Sequence, residues 1–140
     1  MRVNKPNRGY YCLVLGSCLG LGASLIAADK AVDVSKLPPA ASKKGVTYAK
    51  DVRPILEKSC FGCHGPEKQK GKLRLDSLQA ALKGSEHGVV VVAGKSERSP
   101  LLQNIARLNP DEAMPPEGKG EPLTKEQVGL IRAWIDQGAK

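Results

Sequence analysis

Cys60-Phe61-Gly62-Cys63-His64 places two thiols and an imidazole at a fixed spacing. Two intervening residues put both sulfurs on one turn of chain, and the histidine directly after the second faces the same side. This C-x-x-C-H arrangement suits covalent attachment of one c-type haem, the thiols adding to its vinyl groups and His64 presenting a ring nitrogen to the iron. Two other chemistries could use these residues. A tetrahedral zinc site needs four ligands, and His87 alone could complete the set downstream of the N-terminal segment. A Cys60–Cys63 disulfide would leave His64 without a role, and it lacks the strand-then-helix context of a thioredoxin-like site. Haem c, one per chain, is the expectation.

A second axial ligand would have to come from elsewhere in the chain, where Met114 and His87 are the candidates beyond the N-terminal segment. Met114 precedes Pro115-Pro116, whose fixed φ makes a stiff, extended segment able to hold a thioether in place. Its position, fifty residues after His64, leaves enough chain to wrap from one haem face to the other. Met114 is therefore the expected distal ligand. The plainer role for a single methionine is to fill a gap in the core. His87, in Gly84-Ser85-Glu86-His87-Gly88, reads as an exposed turn residue, with ligation as its alternative.

These groups need elements to position them. Val52, Ile55, Leu56 and Cys60 form an i, i+3, i+4, i+8 stripe, predicting a helix that carries Pro54 in its first turn and delivers Cys60 at its C-terminal end. Ser99-Pro100 opens a second helix with Leu101, Leu102, Ile105 and Leu108. The last helix has Thr124 as N-cap and Gln127 as its capping-box partner. Val128, Ile131, Trp134 and Ile135 fill its inner side, and Gly138 lies past its end. Leu73-Arg74-Leu75-Asp76 alternates and Val89 to Val92 is β-branched, so a short strand pair is allowed within an otherwise mainly α domain.

Residues 1–28 read as a signal peptide: Arg2, Lys5 and Arg8 precede an uncharged apolar stretch from Cys12 to Ala28, and the chain turns polar at Asp29-Lys30. Cleavage would remove Cys12 and Cys18 and leave a periplasmic or secreted protein. Retention as a membrane anchor and a lipoprotein signal at Cys18 are the alternatives. Residues 29–45, with Pro38-Pro39 and no hydrophobic period, read as a flexible tether. The compact domain is expected over 46–140.

At 140 residues the chain has room for about one domain, which excludes a two-domain enzyme, a repeat array and a multi-span membrane protein. Five aromatic residues make a thin core that a large apolar cofactor would supplement. The net charge is +8, yet no basic run of the nucleic-acid-binding kind occurs. Nine cations against three acids fall between Lys43 and Arg74, gathering positive charge around the attachment motif. An acidic redox partner is the docking expectation, and a generally solvated basic surface is the alternative.

The chain resembles a small class I cytochrome c, and more narrowly the planctomycete-type cytochrome c domain, over roughly Val46 to Ala139. Asp51-Val52-Arg53-Pro54-Ile55-Leu56, Cys60 to Pro66, Lys70 to Ser77, Met114-Pro115-Pro116, and Leu123-Thr124 leading to Trp134-Ile135-Asp136-Gln137-Gly138-Ala139 carry the likeness. Lys72 and Ala93 stand where the pattern leads one to expect glycine and proline. The resemblance implies a class I cytochrome c-like helical fold around one haem, thioethers at Cys60 and Cys63, His64 and Met114 as proximal and distal ligands, and first and last helices that cross. The expected function is one-electron transfer by an exported monohaem carrier that is not itself an enzyme. The alternative is a haem enzyme subunit or ligand sensor with an open distal site.

Overall fold

The computed structural model describes residues 32–140; the expected signal peptide lies outside the described residues. Thr47 opens the helical stretch that leads to the attachment motif, its hydroxyl accepting from the Lys50 amide while the Asp51 carboxylate accepts from its own amide at 2.8 Å. One wide turn, Tyr48–Val52, runs directly into α1, Arg53–Ser59. Pro54 sits in the first turn of α1, where an amide would have no intrahelical partner. Val52 and Leu56 are fully buried, and the Cys60 amide closes the helix on the Leu56 carbonyl at 2.7 Å. The stripe thus delivers Cys60 where expected. A single turn, α2 (Phe61–His64), follows at once, and α3 (Leu78–Lys83) begins at Ser77, whose hydroxyl accepts from the Ala80 amide.

The other two helices form as their capping residues dictate. Pro100 starts α4 (Pro100–Ile105), which buries Leu101, Leu102 and Ile105. Thr124 and Gln127 close a reciprocal capping box at the start of α5 (Lys125–Asp136), whose Val128, Ile131, Trp134 and Ile135 are buried. The Tyr48 ring lies 5.8 Å from that of Trp134 at 50°. The Tyr48 amide and the Trp134 indole N–H both donate to the Lys140 carbonyl, at 2.8 and 2.9 Å. The helical stretch from Tyr48 to Ser59 therefore meets α5 mainly through the Tyr48–Val52 turn that feeds α1. The fold is mainly α, consistent with a cytochrome c-like architecture.

Two expectations change. The segment read as a flexible tether lies against α5 from Leu37 to Lys43. Leu37 is buried, the Ala41 amide donates to the Gly129 carbonyl at 2.9 Å, and Arg132 donates to the Pro38 carbonyl at 2.9 Å. Backbone groups rather than an apolar stripe make this attachment, so the domain begins earlier than Val46. The strand pair also does not form, and the described residues contain only isolated bridges. The Leu75 amide pairs with the His64 carbonyl, the Val90 carbonyl with the Leu101 amide, and the Val92 amide with the Ser99 hydroxyl. Each segment thus finds its partners in a helix end or loop instead of in the other.

Candidate functional site

Cys60, Cys63, His64 and Met114 all line one cavity of about 320 Å³. Leu73, Leu75, Leu101 and Ile105 provide apolar wall, while Lys70 and Lys119 also border it. His64 and Met114, far apart in sequence, thus reach a common space. His87 lines the cavity as well, but its side chain is 85% exposed and stands 3.9 Å from Glu86.

The attachment segment is held from both ends. The amides of Cys63 and His64 donate to the Cys60 carbonyl at 3.0 and 2.8 Å, winding the motif into a tight turn. Arg53 on α1 covers the Phe61 ring, its guanidinium carbon 5.5 Å from the ring centroid. Gly65 lets the chain leave this turn, since a Cβ there would stand 2.4 Å from the Phe61 carbonyl oxygen. The Leu75 amide then fixes the His64 carbonyl at 2.8 Å, and the Tyr48 hydroxyl donates to the Leu75 carbonyl.

Cys60 and Cys63 are half-buried and unbridged. Burial, reinforced by the neighbouring Cys63, pushes the Cys60 thiol up to about 11, so it stays protonated at neutral pH. Burial also holds His64 below the ordinary imidazole value, opposed by the backbone of Lys70 and Leu73, and a neutral ring keeps a lone pair for a metal. Its Nδ1 is buried without a hydrogen-bond partner. Among the described residues no group of three or more His, Cys, Asp or Glu side chains is placed to hold a metal ion.

The Met114 amide donates to the Asn104 carbonyl at 3.0 Å, and Arg107 donates to the Pro115 carbonyl at 2.9 Å. Tyr48, Asn104 and Arg107 were not singled out by sequence reasoning, because their roles arise from backbone contacts that no motif encodes.

The family model described as Planctomycete cytochrome C matches residues 60–118. Over these residues the chain is similar to a planctomycete-type cytochrome c domain. The match takes in the C-x-x-C-H motif and Met114, whereas α1 and α5 lie outside it. No curated protein and no solved structure gives a match. Haem binding and electron transfer are the chemistry of a cytochrome c domain, with haem c as its covalent cofactor. The residues fit that group: the cavity is apolar, two thiols line it, and a buried imidazole nitrogen lacks a partner.

Proposed function

We propose that the protein is an exported monohaem c-type cytochrome that carries single electrons and has no enzymatic activity of its own. Cys60 and Cys63 form the thioethers, His64 is the proximal ligand, and Met114 is the distal one. The observation that carries this reading is the convergence of all four side chains on one apolar cavity. Haem bound there supplies a one-electron ferric/ferrous couple. His64 stays neutral through burial, and the two thiols sit on one turn beside it. Met114 brings a soft thioether, which favours the reduced metal and raises the potential relative to a second histidine. The leucine and isoleucine walls give the group an apolar surround, which limits reorganisation when the charge changes.

Export rests on the basic, apolar, then polar order of residues 1–30. Among the described residues, no helix is long and apolar enough to cross a membrane. The docking partner we propose is a redox protein with an acidic surface. Lys70 and Lys119 border the cavity, and exposed Val89 adjoins the cavity residue Val90, giving a cationic mouth with an apolar contact point.

Mass spectrometry of protein produced with the haem-maturation machinery tests the reading. The mature chain exceeds its peptide mass by one haem, which acid-acetone does not extract. A colourless polypeptide with two free thiols would overturn it.

A further inference from the structure

Helix α4 ends in a turn whose left-handed position is usually filled by glycine. The Leu108 amide donates to the Gln103 carbonyl and the Arg107 amide to that of Asn104, both at 3.1 Å. These are the paired bonds of a helix terminus whose first residue beyond the cap is left-handed. Here that residue is Arg107, at φ +58°. Any Cβ destabilises such a conformation relative to glycine, so local backbone structure gives no reason for an arginine.

Its side chain does. The guanidinium Nη1 donates to the carbonyl oxygen of Pro115, the residue after Met114. The Met114 amide donates to the Asn104 carbonyl, the same oxygen that accepts from the Arg107 amide. The end of α4 therefore grips the chain on both sides of the Met114 side chain, once through backbone and once through the guanidinium.

We infer that Arg107 is a positioning residue that keeps Met114 on the iron, an assignment that rests on the His64/Met114 ligation proposed above. A thioether is a weak axial ligand, so its occupancy depends on how closely the chain confines it. Without the guanidinium, the Pro115 carbonyl is released and Met114 keeps only its amide bond to α4.

Arg107→Gly separates this role from folding, because glycine suits the left-handed backbone while removing the side chain. In the haem-loaded ferric protein, Arg107→Gly weakens the far-red thioether band and tightens imidazole binding about tenfold, the scale of one lost charged hydrogen bond. Arg107→Lys, which keeps the charge without the planar fork, falls between the two. In a Met114→Ala background, where the iron–sulfur bond does not enter, adding Arg107→Gly leaves the denaturation midpoint unchanged or raised. A clear fall in that midpoint makes Arg107 a folding residue and overturns the assignment. So does an unchanged band with unchanged imidazole affinity, which leaves the ligation reading intact. A wild-type protein that lacks the band and is indifferent to Met114→Ala overturns both.

Discussion

The phenol of Tyr48 donates its hydrogen bond to the carbonyl of Leu75. Leu75 in turn donates its amide to the His64 carbonyl at 2.8 Å, so the turn that feeds α1 braces the backbone of the iron-ligand candidate from across the core. Tyr48 is itself fixed by its tilted packing against Trp134 and by the bond from its amide to Lys140.

Tyr48→Phe leaves the Leu75 carbonyl without this donor and costs about 1 kcal/mol at pH 8. The pH dependence has a definite sign. Burial pushes Tyr48 up from 10.0 to about 12, against a smaller opposing effect of Arg53. The native state therefore holds the proton where the unfolded chain has released it. The contribution of the neutral phenol is complete below pH 10 and is lost as pH rises toward 12. Urea midpoints at pH 8 and pH 11 show the wild type losing its advantage over Tyr48→Phe at the higher pH. A constant gap would contradict this account.

Gly129 tests the attachment of residues 37–43 to α5. A Cβ at Gly129 would stand 2.6 Å from the Pro39 carbonyl oxygen. In a free helix Gly→Ala stabilises by about 1 kcal/mol, but here the clash must be relieved by moving packed backbone, at about 1–3 kcal/mol. Gly129→Ala therefore lowers the thermal midpoint while the haem spectrum stays unchanged. A raised midpoint would mean that the segment does not lie against the helix.

Lys72 occupies a left-handed conformation at φ +55°, next to Gly71 at φ +62°. The position is one where the family resemblance leads one to expect glycine. Its ion pair with Glu86 spans 3.5 Å on an exposed surface and contributes little. Lys72→Gly relieves the backbone and stabilises by about 0.5–1 kcal/mol, read as a shift in the denaturant midpoint. A fall would assign the lysine side chain an interaction larger than the strain it bears.

The parts of the fold legible in the sequence are those written in local signals. Pro54 with the Val52 to Cys60 stripe marks α1, Ser99-Pro100 marks α4, and Thr124 with Gln127 marks α5. Leu78–Lys83 is too short to show a period, and its cap, Ser77, is a single residue. Residues 37–43 attach through carbonyls and amides, which hydropathy does not register. The alternation at 73–76 and the β-branched run at 89–92 are compatible with strands, but their hydrogen bonds go to the attachment turn and to α4. In the site, the C-x-x-C-H motif is local and Met114 stands out by scarcity. The contact of Tyr48 with Leu75 joins residues 27 apart and exists only after folding.

The far-red absorption of the oxidised, haem-loaded protein tests ligation by His64 and Met114 most directly. A weak thioether-to-iron charge-transfer band is expected in the wild type and in His87→Ala. It is expected to vanish in Met114→Ala, together with a lower potential and newly open binding of carbon monoxide to the reduced form. A band that survives Met114→Ala, or a wild type that already binds carbon monoxide at an open sixth position, would contradict ligation by His64 and Met114.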